Sequence, residues 1–327
     1  MARLPDALLD PPAKDADLRA DSTARILARL FFFHAIIESG GVMGEVATGN
    51  GRFVVFAMML MAVVMIVYLA ARQETSSNGL CVVAIFKNEG HILREWLDHY
   101  RAEGVSRFLL INNGSDDDGW EEAIGDADDV RVVHSSERHK QALHYNRRLA
   151  EAKEFKWVMV VDLDEFVYAR GYETIPDFLD TLSEDVDQVK IRWTMFGSNG
   201  HDAQPKSVVQ SFTRRYHHKD GNFAEGKYIA RSNRILKLGV HSATTTKQSE
   251  TYSIAPADPK APLRLNHYAI QSKEFFAKVK MTRGSAASAQ SDTVRDWNYF
   301  ARYDVNDVLD DELSIKRETA QVQLSRR

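Results

Sequence analysis

Cysteine is almost missing from the 327 residues, with Cys81 the sole example. An intramolecular disulfide is therefore impossible, and a cysteine-built zinc site is excluded. Cys81 stands inside an apolar run, which marks it as a small buried hydrophobe, and so cysteine-poor a chain fits a reducing compartment. The charge balance lacks a strong sign. A formal net charge of -4 gives no general attraction to nucleic acid, which drops out as an expected partner. The chain also lacks an internal repeat, and its low-complexity content is confined to the small-residue stretch 284–291. With 44% apolar and 27% charged residues, composition is that of an ordinary soluble fold. The length left after the N-terminal part is set aside suits one main core.

What is present in excess is one apolar run. Residues 53–71 (FVVFAMMLMAVVMIVYLAA) carry no charge, are bracketed by Arg52 and Arg72, and as a helix would reach about 28 Å. That length predicts a transmembrane helix over residues 53–72, and hence a membrane as a partner. Residues 1–52, with Pro5, Pro11 and Pro12, read as a tail that is partly disordered or interfacial. Within it, residues 26–37 carry Phe31, Phe32 and Phe33 but are interrupted by Arg29 and His34, too short a stretch to span. Residues 73–79 form a polar linker, residues 80–290 the main domain, and residues 291–327 a charged helical tail.

The main domain opens with Leu80–Phe86 (LCVVAIF), short, β-branched and continuous, as a strand buried on both faces requires. A helix follows with Ile92, Leu93, Trp96, Leu97 and Tyr100 on one stripe, closing at Gly104. Residues 107–111 read as a second strand, and NNGSDDDG (112–119) at its end as a loop crowded with turn formers. After a short acidic helix come a third strand (130–133), a helix (141–155) with Leu143, Leu149 and Ala150 facing inward, and a fourth buried strand, WVMVV (157–161). Four apolar strands alternating with helices imply right-handed crossovers in a mostly parallel α/β sheet, with ligands at the C-terminal strand ends. Beyond residue 170, shorter antiparallel pieces are expected at 188–193, 208–212 and 235–238, and a helix at 273–283.

The fourth strand runs directly into DLDEF (162–166). Asp162 and Asp164, two apart at a strand end, point to the same side of an extended chain, where together they can hold a hard cation. Oxygens of a diphosphate can complete the shell of such an ion, which then neutralises charge building on a departing diphosphate. D-x-D is a weak pattern by itself. Its position after the fourth apolar strand of an α/β sheet is what gives it weight.

The ordered set KNEG (87–90) after the first strand, NNGSDDDG after the second, WVMVVDLDEF at the fourth, WTMFGSNGH (193–201), and NHY (266–268) with Ser272 and Arg283-Gly284 resembles the GT-A glycosyltransferases of the family 2-like and family 92-like group. The resemblance runs over about residues 80–284. What it implies is a GT-A fold with a nucleotide-sugar-binding half, a Mn2+ or Mg2+ ion at D-x-D, and an acceptor-binding half. On that resemblance Lys87, Asn88 and Glu89 lie near the nucleotide, and Asn112, Asn113 and Asp117 near base or ribose. Asn112 departs from the group, where Asp is common at its position. Asp162 and Asp164 take the metal, Asp162 also facing the donor, and a late histidine adds a ligand, His267 ahead of His241.

The activity implied is transfer, with inversion, from a uridine or guanosine diphosphate sugar to a carbohydrate or glycolipid acceptor. Inversion needs a general base, for which Asp202, Glu225 and Glu165 are candidates. Asp202 ranks first because it follows FGSNGH, whose Gly197 and Gly200 would let the backbone approach a sugar closely. Trp193 and Phe196 are candidates to stack on the sugar, and Lys227, Arg231, Lys278 and Arg283 to contact phosphate. His139, His144, His217 and His218 are expected at the surface. Because sugar nucleotides are made in the cytosol, the catalytic face is expected on the cytosolic side of a bacterial inner membrane. Two rival readings share the motif. One is a haloacid-dehalogenase-type phosphohydrolase, against which Phe166 and the three preceding strands count; the other is a membrane-tethered protein that binds a sugar nucleotide without catalysis.

Overall fold

The computed structural model describes residues 79–117, 119–217, 225–246, 250–256, 258–284, 286–287 and 295–325. The chain divides into two units, Met1–Ala71 and Arg72–Arg327, and all described residues belong to the second. The expected tail (1–52), transmembrane helix (53–72) and most of the linker lie outside the described residues, as does His218. Among the described residues, no helix is long and apolar enough to cross a membrane.

Strand β1 (Leu80–Phe86) is buried throughout. Leu80, Val82, Ala84 and Phe86 enter one apolar cluster, while Cys81, Val83 and Ile85 enter another on the opposite face. Alternate strand residues point to opposite faces, so a sheet covered on both sides demands an unbroken apolar run. Helix α1 (Gly90–Ala102) lays its predicted stripe on the first cluster. It stops at Gly104, whose φ of +87° is left-handed and whose missing Cβ leaves room for Pro176.

Strand β2 (Val105–Asn112), helix α2 (Trp120–Ile124) and strand β3 (Val130–His134) follow as the sequence predicts. The next helix differs. It breaks at Arg148 into α3 (Gln141–Arg147) and α4 (Leu149–Ala152), and its inner face is Gln141, His144, Tyr145 and Ala152. Leu143 is 44% exposed and Ala150 is exposed, because polar anchors set the phase: Gln141 Nε2 donates to the Tyr145 hydroxyl at 2.7 Å and reaches Asp162 Oδ1 at 3.3 Å. His144, expected at the surface, is buried beside Ser135 Oγ and the Glu137 carbonyl.

Strands β4 (Trp157–Val160) and β5 (Glu165–Ala169), helix α5 (Ile175–Leu179) and strand β6 (Val186–Met195) lead to α6 (Val208–Ser211). That segment was expected as a strand. Ser207 Oγ accepts from Gln210 N at 3.1 Å, and the Glu95 carboxylate accepts from Val208 N at 2.7 Å, so the first turn's amides are satisfied in helical form. The rest comprises β7 (Arg214–Arg215), β8 (Gly226–Arg231), β9 (Ile235–Leu238), β10 (Ala243–Thr245), β11 (Glu250–Ile254), β12 (Leu263–His267), α7 (Lys273–Phe275), α8 (Trp297–Tyr303), β13 (Val308–Leu309) and α9 (Glu312–Ser325).

Among the described residues, a nine-stranded sheet runs in the order β3-β2-β1-β4-β8-β6-β12-β5, with β11 also on β6. Its first four strands are parallel, and β8 is inserted antiparallel to both β4 and β6. The free edge of β6 is shared end to end by β11 and β12, and β12 pairs antiparallel with β5. The chain is thus mixed α/β with a mainly parallel sheet, and β4, β5, β8 and β12 converge at one end.

His99 locks α1 to β5. Its Nε2 lies 2.8 Å from the Val167 carbonyl, which can only accept, so Nε2 carries the proton. Burial, reinforced by the nearby Arg317 charge, pulls the His99 pKa down to about 3. A folded pKa below the unfolded value means that this stability is complete above about pH 6.5 and lost as pH falls toward 3. His99→Gln retains a donor and is expected to fold. It should remove about one proton, ~1.4 kcal/mol per pH unit, from the slope of unfolding free energy between about pH 6 and 4. Urea denaturation measures that slope, and an unchanged value would refute the role.

Candidate active site

The turn from β4 into β5 carries DLDEF to the sheet's C-terminal edge. Helix α1 fixes its backbone: Trp96 Nε1 donates to the carbonyls of Asp162 (3.1 Å) and Glu165 (3.2 Å), and the Tyr100 hydroxyl donates to Glu165 O (3.0 Å). Glu165 is wholly buried. Its Oε2 accepts from the Asp162 amide at 2.8 Å, and its Oε1 from Trp193 Nε1 at 2.6 Å. Burial raises its pKa to about 7 against the opposing pull of Lys227, 3.7 Å away. The stripe residues Trp96 and Tyr100 therefore pack the core and shape the site together.

Each aspartate meets a buried lysine. Lys227 Nζ lies 2.8 Å from Asp162 Oδ2, and Lys280 Nζ 2.5 Å from Asp164 Oδ2. Burial disfavours the Asp164 charge, but Lys280 and then His267 outweigh it and hold its pKa well below the usual carboxylate range. For Lys227 burial is likewise overcome, by Asp162 and Glu165, and its pKa rises. Lys280 moves the other way: burial and the Arg283 charge prevail over Asp164 and Glu89, and its pKa falls.

Strand register decides which cation reaches the site. β8 runs antiparallel to β4 with Tyr228 opposite Val160 and Arg231 opposite Trp157. Lys227 therefore comes beside Asp162, whereas Arg231 lies four residues back, roughly 13 Å along the strand. Arg231, expected at the nucleotide, instead stacks 4.4 Å above Trp157 and donates to the carbonyls of Val186 (2.8 Å) and Ser183 (3.0 Å).

The two predicted nucleotide loops divide in the same way. Lys87, Glu89 and Asn113 line a cleft of about 340 Å³. Asn88 and Asp117 tie the loops to each other, Asn88 Oδ1 accepting from Asp116 N (2.9 Å) and Asp117 Oδ2 from Gly90 N (2.7 Å), while Asn112 Oδ1 accepts from Ser115 N (2.7 Å) within the second loop. Glu89 is buried and salt-bridged to Arg283 at 2.7 Å.

Of the three carboxylates weighed as a base, Glu165 has both oxygens engaged, and Asp202 lies outside the cleft. Asp202 is 82% exposed and paired with Lys273 at 2.7 Å, which corrects its first rank. The motif before it has another task. A Cβ on Gly197 would meet Val305 O and Asn306 Oδ1 within 2.6 Å, so this glycine admits the C-terminal segment rather than a sugar. Glu225 does line the cleft, 65% exposed and 3.7 Å from His241 Nε2. Trp193 lines it too, but Phe196 is core, packed 4.9 Å from Tyr268. Lys278 is exposed on Glu274, while Arg283 lines the cleft. Of the other predicted surface histidines, His217 is exposed and His139 partly buried.

Sequence reasoning missed Gln141, Arg295, Tyr299 and above all Lys280 as cleft residues. The signal for Lys280 was hidden by helix phase. Residues Phe276–Lys280 form a π turn, closed by Met281 N to Phe276 O at 2.9 Å, which sends Lys280 inward while Lys278 stays outside.

Asp164, Glu165 and His267 each offer a ligand atom, all within 4.8 Å of one another. With the oxygens of Glu165 engaged, Asp164 and His267 are the usable pair. His267 Nε2 lies 3.6 Å from Asp164 Oδ1, its Nδ1 is buried without a hydrogen-bond partner, and its ring tilts against Trp193 at 4.8 Å. Carboxylate plus imidazole fits a first-row divalent cation. Asp162 falls outside this group, and the alternative His241 is held by the Gly226 carbonyl at 2.9 Å.

A mainly parallel α/β sheet with paired carboxylates and clustered cations at its strand ends defines the class: an α/β protein with its candidate site where such sheets gather ligands. Residues 120–298, more than half the chain, match the family model for glycosyltransferase family 92, and the chain belongs to that family. It is 27% identical over 140 residues to a family 92 protein of Oryza sativa subsp. japonica, covering 41% of this chain and 24% of that protein. A family 92 protein of Ricinus communis is 26% identical over 240 residues, 66% of this chain and 40% of the other. The chain thus spans between 24% and 40% of the length of these curated relatives. Solved structures similar to it include S. aureus TarS 1-349 in complex with UDP-GlcNAc (15% identity, TM-score 0.38, 60% of each chain covered). Another is GalNAc-T7 with UDP, GalNAc and Mn2+ (12% identity, TM-score 0.41, 69% of this chain and 50% of that one).

Trp193→Phe keeps a ring against His267 but removes the donor to Glu165 Oε1. Leaving that buried oxygen unpaired is expected to lower stability by about 1–3 kcal/mol. Urea unfolding of the variant measures it, and an unchanged midpoint would mean that Lys227 and the Asp162 amide suffice to hold Glu165.

Proposed function

We propose that this chain transfers a sugar from a nucleoside diphosphate sugar to an acceptor hydroxyl, with a divalent cation held by Asp164 and His267. The observation that carries the reading is the Asp164–His267–Lys280 constellation at the mouth of β4, inside a cleft with further cations from Lys87, Arg283 and Arg295. A diphosphate brings at least two negative charges, and these side chains match it. When bound, a divalent ion would supply charge neutralisation at the leaving diphosphate. Lys280 and Arg283 add positive charge beside the same group, in a low-dielectric pocket where each charge acts strongly. Trp193 and Tyr299 offer faces for the base or the sugar.

For transfer with inversion, an acceptor hydroxyl must lose its proton as the diphosphate departs. Glu225 is the carboxylate whose cleft position and exposure support that task, with His241 beside it. The uncharged run 53–71 supports attachment to a membrane, and the cytosolic synthesis of sugar nucleotides is what favours a catalytic face on that side.

Asp164 is buried and paired, so truncation to Ala would strand the Lys280 ammonium; Asp164→Asn preserves shape. A panel of nucleotide sugars, screened for stimulated nucleoside diphosphate release, should show turnover by the wild type that chelation abolishes. Asp164→Asn should reduce it at least about a hundredfold, the scale of losing one preorganised charge partner. Full turnover by the variant under strict chelation would reject the metal. Cleavage of para-nitrophenyl phosphate without sugar-nucleotide turnover would reject transfer itself.

A further inference from the structure

Lys280 is 1% exposed and stands between two carboxylates: its Nζ lies 2.5 Å from Asp164 Oδ2 and 3.6 Å from Glu89 Oε1. The other oxygen of Glu89 is clamped by Arg283 at 2.7 Å, so Glu89 is a fixed second station for the ammonium. His267 Nε2 faces the remaining oxygen of Asp164. An ion shared by Asp164 and His267 would therefore meet a like charge across one carboxylate, in a buried setting where repulsion is poorly screened.

We infer that Lys280 makes metal binding at Asp164 conditional on the donor: it holds the carboxylate while no diphosphate is present, and turns toward Glu89 and the phosphate oxygens when one arrives. The inference rests on the proposed metal at Asp164 and His267. Its thermodynamic content is a positive coupling between metal and diphosphate, which must be reciprocal. If Lys280 holds Asp164 about nine-tenths of the time without donor, the apparent metal affinity is reduced about tenfold, because only the remaining tenth is competent. The π turn serves this purpose, since it places Lys280 within reach of both carboxylates.

The test is Mn2+ titration without nucleotide, read by the electron paramagnetic resonance signal of free Mn2+, on wild type, Lys280→Met and Glu89→Gln, with far-UV circular dichroism reporting fold. Lys280→Met should bind Mn2+ about tenfold more tightly than wild type. Glu89→Gln removes the second station's charge, concentrates Lys280 on Asp164, and should bind more weakly. Wild-type binding that Lys280→Met leaves unchanged or weakens overturns the inference alone and spares the metal site. No Mn2+ binding by any of the three at millimolar concentration overturns the metal reading, and the inference with it. Should Lys280→Met fail to fold, Glu89→Gln decides, and unchanged or tighter binding there overturns the proposal.

Discussion

Three carboxylates within four residues are held at the edge of a buried sheet, Glu165 entirely and Asp164 nearly so. Removing an ionised carboxylate from water is penalised by several kcal/mol, and an unpaired one would instead take up a proton or unfold its surroundings. The structure meets this constraint with two ammonium groups at hydrogen-bonding distance, Lys227 on Asp162 and Lys280 on Asp164. Both lysines are more deeply buried than their partners, the Asp162 side chain being 34% exposed. Neutralisation of DLDEF is thus a joint property of β8, which brings Lys227, and the π turn after α7, which brings Lys280.

The same charges organise the cleft. A site for a diphosphate needs fixed positive charge, and a site for a cation needs fixed negative charge. Interleaving the two lets each stabilise the other until a ligand competes for it. Glu89, Lys280, Asp164 and His267 form one connected chain of this kind, with Arg283 at its far end. The residues 120–298 that match glycosyltransferase family 92 include Asp162, Asp164, His267 and Lys280.

Legibility in the sequence followed the range of the physics involved. β1 and the WVMVV strand were plain because burial on two faces requires an apolar residue at every position. The stripe of α1 was plain because a 3.6-residue period is written locally. Residues 208–211 were mistaken for a strand because their helical form depends on Glu95, more than a hundred residues earlier. The phase of α3 was mistaken because Gln141 turns inward to a carboxylate that periodicity cannot see. Asp202 looked poised behind two glycines, yet Gly197 is needed by the backbone of Val305 and the side chain of Asn306.

From sequence alone came the α/β alternation, the place of DLDEF at a strand end and the resemblance to a glycosyltransferase group. All of these rest on short-range periodicity or on motif order along the chain. Tertiary structure alone decided that Lys227 and not Arg231 faces Asp162, that Lys280 and not Lys278 reaches Asp164, and that Glu225 and not Asp202 borders the cleft. The partners are 65 residues apart for Lys227 and Asp162 and 116 apart for Lys280 and Asp164. Strand register and one π turn bring them together, and both are set by the packing of the whole sheet, which no local pattern encodes.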